Sequence, residues 1–369
     1  MTDKMKAAVM HNLNDLRLQE VEKPTIKPNT VLVKVHACAI CGSDLRILGS
    51  GNPRVKYPAI IGHEIAGEVI AVGEGAGRVK EFKIGDRLAL GADVPCGTCR
   101  FCTNGLGNCC DENHAMGYQF PGGFAEYCLL EPMMVNYGPI IKIPESVTYD
   151  QAALMEPLAC VLNGFELAQM KVGKTVLIIG GGPIGCLGIM VAKALGASKV
   201  ILSEMNEQRL ETAKQFEADV YINPQTKDLI SKVKEITDGR GADLVLTMCP
   251  AVQAHEQAVE AVAKRGYVNL FGGLPRDARP AQFPSNTIHY KECFVMGSHG
   301  STPRHNQIAM DLIATGKVDV KKLITHNFHL DQIQEGFRVM KDLKGLKVII
   351  NPNRKEDSFI SSSNESSPY

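Results

Sequence analysis

The segment Thr175–Gly185 reads TVLIIGGGPIG, and its pattern indicates the fold of much of the chain. The residues up to Ile179 form a nearly unbroken apolar run, which is typical of a strand buried on both faces. Glycines follow this run, and the apolar residues beyond Pro183 recur at helical spacing as far as Leu195. A strand, a glycine-rich turn and a helix in this order predict the first unit of a doubly wound parallel sheet.

The glycines of this turn match the pattern G-x-G-x-x-G, and they lie between a strand and a helix, as a dinucleotide site requires. We expect Gly180 to make the turn, Gly182 to let the backbone approach a pyrophosphate, and Gly185 to permit close helix–strand packing. Pro183 and Ile184 open the helix, whose unpaired N–H groups and positive dipole end favour phosphate groups. We therefore predict that all five residues bind the cofactor.

Glu204 indicates which dinucleotide is preferred. It follows the predicted strand Lys199–Ser203, nineteen residues after the last glycine of the pattern. A carboxylate at this place can accept hydrogen bonds from both ribose hydroxyls, and it would repel a 2′-phosphate. The next basic residue is Arg209, which we include among the predicted cofactor-binding residues. The sequence thus predicts NAD rather than NADP.

The alternation of strands and helices continues beyond this point. The predicted strands are Val220–Ile222, Asp243–Thr247, Gly266–Phe271 and Glu292–Met296, and the predicted helices are Glu207–Phe216, Thr226–Thr237 and Ala254–Lys264. These elements predict a Rossmann domain over residues 158–296.

The preceding residues, 1–157, contain short β-type runs such as Val31–Ala37 and Glu68–Val72, separated by glycine and proline. This pattern predicts an all-β domain, a compact barrel. After the Rossmann domain, a helix at His305–Thr315 and a strand at Leu346–Ile350 are expected within residues 297–352, which would complete the first domain. Residues 353–369 are rich in serine and charge, and we expect a disordered tail.

Length and charge narrow the class of protein further. The 369 residues suggest two domains, and forty basic residues balance forty acidic ones. This balance argues against nucleic acid or an anionic membrane as partner. The absence of a signal peptide pattern and of a membrane-spanning apolar run predicts a cytoplasmic protein.

Five of the twelve cysteines fall between Cys96 and Cys110. In a reducing cytosol, clustered thiols bind metal more often than they pair as disulfides. Cys96, Cys99, Cys102 and Cys110 read C-x2-C-x2-C-x7-C, which predicts a closed tetrahedral zinc site of structural type. Cys109 is the alternative to Cys110 as fourth ligand.

A second group of residues could bind zinc in an open site. Cys41 and Ser43 follow a predicted strand, and His63 and Glu64 come about twenty residues later. Thiolate, imidazole and carboxylate together can hold zinc and leave one position for substrate. Glu156 lies in an apolar stretch, where a charge is costly unless it is paired or ligated; the alternative is an exposed glutamate at a helix start.

The motifs occur in one order along the chain: CGSD, GHE, the four cysteines, GGFAEY at residues 122–127, EPL and the glycine pattern. In this order they resemble the zinc-containing medium-chain alcohol dehydrogenases, in particular the polyol (sorbitol) and threonine dehydrogenase branches. The resemblance extends from Lys6 to about Pro352. It implies a GroES-like catalytic domain beside the Rossmann domain, with the active site in the cleft between them. It also implies that Cys110 is the fourth ligand in the segment from Cys96 to Cys110, which we call the four-cysteine lobe. It also implies a homo-oligomer, a tetramer or a dimer, formed through edge strands near Glu292–Met296.

The resemblance further implies two zinc ions per chain. Cys41 and His63 would bind the catalytic ion. Glu64 and Glu156 would share the remaining protein coordination, as a direct ligand or through a water molecule. Ser43 would accept the proton of the zinc-bound alcohol while hydride passes to NAD. The expected reaction is oxidation of a secondary alcohol or polyol to a ketone.

Two positions depart from the family pattern. Arg46 stands where many relatives have a histidine; it cannot complete a proton relay, although it can hold a cofactor phosphate. Gly300 and Ser301 stand near the position of an Arg-Tyr pair in polyol dehydrogenases, which weakens the case for sorbitol itself. The alternatives are an L-threonine 3-dehydrogenase-like enzyme and a non-catalytic, zinc-stabilised NAD-binding protein.

Overall fold

The computed structural model describes residues 3–77 and 81–353, and these divide into two compact units. The first unit runs as far as Thr98, includes Glu112–Leu154 and resumes at Ile324; the second comprises Cys99–Asp111 and Met155–Leu323. Of the predicted tail, only Asn353 is described, and its amide donates to the carbonyls of Val35 and Glu126, both at 2.8 Å. No described helix is long and apolar enough to cross a membrane.

The first unit begins with strands that form antiparallel sheets. The strands are β1 (Lys4–Asn12), β2 (Asp15–Glu22), β3 (Val31–Ala39), β4 (Ala59–Ile60), β5 (Glu64–Val72), β6 (Arg87–Leu90), β7 (Asp93–Val94), β8 (His114–Ala115), β9 (Tyr127–Leu130) and β10 (Ile140–Lys142). β3 lies centrally and pairs with both β5 and β9. Its residues are buried except for Lys34 and His36, so the core of the unit lies against it.

Helices also occur in this part of the chain, so the prediction of an all-β region was wrong in this respect. They are α1 (Gly42–Ser50), α2 (Pro132–Tyr137) and α3 (Tyr149–Ala153). α1 was missed because it is short and begins with glycine and serine, which obscure the helical period. A capping box between Cys41 and Asp44 forms its start; the backbone N–H of Cys41 donates to Asp44 Oδ2 at 2.9 Å.

The second unit contains a parallel sheet with helices between its strands. In chain order the elements are α4 (Met155–Leu167), β11 (Thr175–Ile179), α5 (Pro183–Ala194), β12 (Lys199–Ser203), α6 (Glu207–Ala213), β13 (Val220–Ile222), α7 (Leu229–Ile236), β14 (Ala242–Thr247), α8 (Val252–Ala261), β15 (Val262–Leu270), α9 (Ser285–Lys291), β16 (Phe294–Gly297) and α10 (Pro303–Ala314). The strand order is β13-β12-β11-β14-β15-β16. The predicted doubly wound sheet is therefore confirmed.

Some predicted helices were too long. The helix predicted at Ala254–Lys264 ends at Ala261, because the following residues already belong to β15, where the register to β14 is irregular. The alanine and valine residues at this boundary are compatible with both the helical and the strand period. The helix predicted at Thr226–Thr237 starts only at Leu229, since the Asp228 side chain accepts from Ser231 N at 2.8 Å and caps it.

The chain then returns to the first unit through β17 (Ile324–His329), α11 (Ile333–Lys341) and β18 (Lys347–Asn351). β18 pairs in parallel with β17 and antiparallel with β3, where Ile350 faces Cys38. The last strand thus lies beside the strand that leads into Cys41.

Candidate active site and metal centres

The end of β3 and the start of β5 bring three predicted zinc ligands together. Ala39 pairs with Glu64, so the turn that carries Cys41 lies beside His63 and Glu64. One ligand atom from each of Cys41, His63 and Glu64 lies within 4.8 Å of the others. The sulfur, nitrogen and oxygen donors fit zinc.

Asp44 orients the imidazole of His63. The Nδ1 atom of His63 lies 3.3 Å from Asp44 Oδ1, and the Nε2 atom faces Ser43 Oγ at 3.2 Å. Burial opposes a charge on His63, but the nearby Asp44 carboxylate and the Cys41 thiol outweigh it and raise the pKa well above its usual value. A carboxylate that holds a ligating histidine in this way is common around zinc. The sequence motif contained Asp44, although its role was not predicted.

Glu64 has a partner that the sequence did not indicate. The ammonium of Lys347, on β18, donates to Glu64 Oε1 and, at 2.6 Å, to Oε2. The side chains are 1% and 0% exposed. Lys347 was missed because it stands at the edge of an apolar strand, where a lysine is usually solvated.

Tyr118 was also missed. Its ring centroid lies 5.8 Å from that of His63, and the guanidinium carbon of Arg54 lies 4.9 Å from the Tyr118 ring centroid. Burial raises the pKa of Tyr118, although its hydrogen bond to Ser43 works in the opposite direction. A protonated phenol thus lies next to the Ser43 hydroxyl. Its signal in the sequence, a tyrosine in a loop, is too common to be recognised.

Glu156 belongs to the second unit, in the first turn of α4. The structure therefore places it at the helix start that we considered, but its side chain is buried rather than exposed. The thiol of Cys160 donates to its Oε1 at 3.4 Å. The carboxylate is thus held in the first turn of the helix by a thiol that lies one turn further along.

The segment between Cys96 and Cys110 gathers the predicted lobe ligands. The sulfur atoms of Cys96, Cys99, Cys102 and Cys110 all lie within 4.8 Å of one another. Short 3-10 turns at Cys102–Asn104 and Gly107–Cys109 shape the loop. Cys109 is exposed and stands outside the cluster, so the structure favours Cys110 as the fourth sulfur. Four thiol groups at such distances fit a closed zinc site.

The glycine turn has the close contacts that its pattern predicts. Gly180 has a φ of 113°, and a Cβ on Gly185 would lie 1.8 Å from the Gly180 carbonyl oxygen, so neither position accepts a side chain. Above Gly182, the nearest atom to an added Cβ is Arg209 Nη1 at 3.7 Å. This face of the turn is therefore open, as an approaching phosphate requires, and a guanidinium lies near it.

The Glu204 carboxylate is fixed at the end of β12. Its Oε2 accepts from Gly181 N and its Oε1 from Asn206 N, both at 2.7 Å. These backbone bonds hold it beside the glycine turn that ends with Pro183 and Ile184 at the start of α5. Arg46 is exposed on α1.

Comparisons with known proteins agree with this arrangement. Residues 27–144 match the family model of the alcohol dehydrogenase GroES-like domain, and residues 183–315 match that of the zinc-binding dehydrogenases. Over 357 residues the chain is 33% identical to sorbitol dehydrogenase of Bacillus subtilis, covering 95% of this chain and 98% of that protein. It is 38% identical over 340 residues to L-threonine 3-dehydrogenase of Pyrococcus abyssi, covering 90% and 94%.

The chain belongs to the zinc-containing medium-chain alcohol dehydrogenases. This confirms the predicted family and, with the sheets described above, the predicted fold class. Solved structures of 2R,3R-butanediol dehydrogenase from Bacillus subtilis and galactitol-1-phosphate dehydrogenase from Escherichia coli both match this dehydrogenase with a TM-score of 0.85. Their identities are 29% and 30%, and the matches cover 95% and 94% of this chain and 100% of each neighbour.

Proposed function

We propose that this medium-chain dehydrogenase oxidises a secondary alcohol or polyol to a ketone with NAD as hydride acceptor. The observation that carries the proposal is the group of Cys41, His63 and Glu64, whose ligand atoms lie within 4.8 Å of one another. A protein that only bound NAD would need no open metal site. When bound, zinc would supply Lewis-acid activation of the substrate oxygen, and NAD would accept the hydride.

The residues around this group have distinct proposed roles. Cys41 and His63 hold the metal, and Asp44 keeps the imidazole oriented. Glu64 and Glu156 supply the remaining carboxylate, in direct contact or through water. Lys347 offsets the charge of Glu64, so that this carboxylate is stable in a buried site.

Ser43 is the proposed proton acceptor. Its Oγ lies 3.2 Å from His63 Nε2, and the Tyr118 phenol lies nearby. As Ser43 Oγ takes the substrate proton, the hydroxyl gives up its own proton to water, so the serine ends the step neutral. Arg46 cannot take part in this transfer because a guanidinium does not release its proton at neutral pH. Its proposed role is to bind a phosphate group of the cofactor.

Support for NAD comes from the Glu204 carboxylate, which is fixed by two backbone N–H groups at 2.7 Å. It cannot turn away to admit a 2′-phosphate without losing both bonds. Gly180, Gly182, Gly185, Pro183, Ile184 and Arg209 form the proposed pyrophosphate site. The four lobe cysteines hold a second, structural zinc ion.

L-threonine is the second candidate substrate, because the identity of 38% to the Pyrococcus abyssi enzyme exceeds that to the sorbitol dehydrogenase. The names of the other relatives refer to sorbitol, 2R,3R-butanediol and galactitol 1-phosphate as substrates. All these substrates carry a secondary alcohol, which is the group that the proposed reaction oxidises.

We also propose a cytoplasmic homo-oligomer. None of the twelve cysteines, all of which lie in the described part of the chain, forms a disulfide, which suits a reducing compartment. β16 stands last in its sheet, and the large side chains of Phe294 and Tyr290 are exposed there. Light scattering after size exclusion, with Phe294→Glu as the variant, tests whether this edge joins subunits.

The activity test follows NADH formation with sorbitol, xylitol, 2,3-butanediol, 2-butanol, ethanol and L-threonine. We expect turnover of a secondary alcohol with NAD, a much lower rate with NADP, loss on chelation and recovery on zinc addition. Glu156→Gln should reduce turnover strongly and leave NADH affinity unchanged. A zinc-loaded protein that binds NADH and oxidises none of these compounds would favour the non-catalytic alternative.

A further inference from the structure

The segment Ser298–Thr302, which follows β16, is held by the side chains of four asparagines from different parts of the second unit. The asparagines are Asn108, Asn163, Asn269 and Asn306, and none is more than 7% exposed. Asn306 Nδ2 donates to Ser301 Oγ and to the Thr302 carbonyl, both at 2.9 Å, and Ser298 Oγ donates to Asn269 Oδ1 at 2.9 Å. Buried amides fix the backbone to which they are hydrogen-bonded.

Two of these amides converge on one carbonyl. Asn108 Nδ2 donates to His299 O at 2.8 Å, and Asn163 Nδ2 donates to the same oxygen at 3.3 Å and to Gly300 O at 2.9 Å. Asn163 stands on α4, whereas Asn108 stands in the 3-10 turn that precedes Cys110. The four-cysteine lobe therefore reaches the segment directly, through one side chain.

The position of the segment gives this contact a functional meaning. It begins at the carboxyl end of β16, and open parallel sheets bind their ligands outside the carboxyl ends of the strands. The glycine turn after β11 and Glu204 after β12 mark the pyrophosphate and adenosine side of the site. The nicotinamide half of the dinucleotide then extends towards the ends of β14, β15 and β16.

We propose that Asn108 is a positioning residue through which the four-cysteine lobe sets the backbone of His299 and Gly300 against the bound nicotinamide. This inference rests on the proposed function, since it requires a dinucleotide at the carboxyl ends of the strands. It gives the lobe a part in cofactor binding in addition to its structural part. Without Asn108, the His299 carbonyl keeps only the longer bond from Asn163.

The test compares Asn108→Ala and the isosteric Asn108→Asp with a matched control, Asn104→Ala. Asn104 belongs to the same lobe but is exposed, and its amide donates to Arg100 O at 2.7 Å within the lobe. The measurements are NADH dissociation constants from cofactor fluorescence, zinc content and melting temperature. Where alcohol is oxidised, KM for NAD and kcat are added.

Both Asn108 variants should bind NADH about three- to tenfold more weakly, as expected for one lost hydrogen bond. Their zinc content should match the wild type, and Asn104→Ala should change nothing. Asn163→Ala should act in the same direction. The double variant should then show more than the product of the single effects, because only it removes both amide donors from the His299 carbonyl.

Equal NADH affinity in the Asn108 variants and the wild type would overturn the proposal. Loss of zinc from Asn108→Ala would overturn it as well, because the residue would then act as part of the metal site. A wild type that binds no NADH would instead overturn the proposed function, and this inference with it. If the wild type oxidises no alcohol, the comparison of NADH dissociation constants still tests the proposal.

Discussion

The Lys347 ammonium group contacts both carboxylate oxygens of Glu64, and both side chains are almost fully enclosed. The pair joins β18 to the start of β5, although 283 residues separate the partners in the sequence. A buried carboxylate next to a metal site is stable only if its charge is offset, and Lys347 supplies the offset.

Lys347→Met should therefore lower the free energy of unfolding by about 3–5 kcal/mol, because it leaves a buried charge without its partner. Urea denaturation measures the change. Glu64→Gln combined with Lys347→Met should recover much of the loss, since the double variant buries no charge there. Equal stability of Lys347→Met and the wild type would contradict this account.

Ser43→Ala should reduce kcat by roughly 10²- to 10⁴-fold, the usual contribution of a positioned proton acceptor. Tyr118→Phe removes only the phenol hydroxyl beside Ser43, so its effect should be smaller and in the same direction. Zinc content and NADH affinity should stay at wild-type values in both variants. Unchanged turnover in Ser43→Ala would exclude the proposed proton transfer.

The lobe offers a comparison between neighbouring types of cysteine. Cys102→Ser removes one of the four clustered sulfur atoms and should lower the zinc content by about one ion per chain. Cys109→Ser alters an exposed thiol outside the cluster and should leave the metal content unchanged. Metal analysis of both purified variants shows which of the two cysteines is needed for zinc binding. Zinc loss from Cys109→Ser with retention in Cys110→Ser would instead assign Cys109 as the ligand.

Cys249, after β14, should react slowly with iodoacetamide at neutral pH. Burial, and then the negative charge of Glu204, raise its pKa to about 11, so the reactive thiolate is scarce. The alkylation rate should rise about tenfold per pH unit between about pH 8 and 10. Glu204→Gln removes the repulsion, lowers the pKa and should speed the reaction at fixed pH. Peptide mass spectrometry measures the rate, and a rate independent of pH would contradict the raised pKa.

Much of the fold could be predicted because its signals are local. The apolar run before Gly180 and the spacing of the lobe cysteines depend on neighbouring residues, and strand β11 was predicted with its observed bounds. Helix α1 was not predicted, since a capping box formed by Cys41 and Asp44 has no hydrophobic period. For α4, a helix start at Glu156 was considered only as an alternative, because no capping residue precedes Met155.

The candidate zinc ligands could be named from motifs, but the residues that contact them could not. Lys347 meets Glu64 only because β18 pairs with β3, and Tyr118 meets Ser43 only through a loop fold. Such partners depend on contacts between distant parts of the sequence, which residue spacing does not encode. Asn108 and Asn163 were missed for the same reason.

The late position of β18 has a consequence for biosynthesis. On the ribosome, the residues that build the parallel sheet are complete well before Lys347 emerges, so that sheet can form while Glu64 still lacks its counterion. The metal-binding half of the enzyme is finished last, by its final strand. A chain that terminates before this strand would leave an uncompensated carboxylate where the substrate should be oxidised, and incomplete products would thus be inactive.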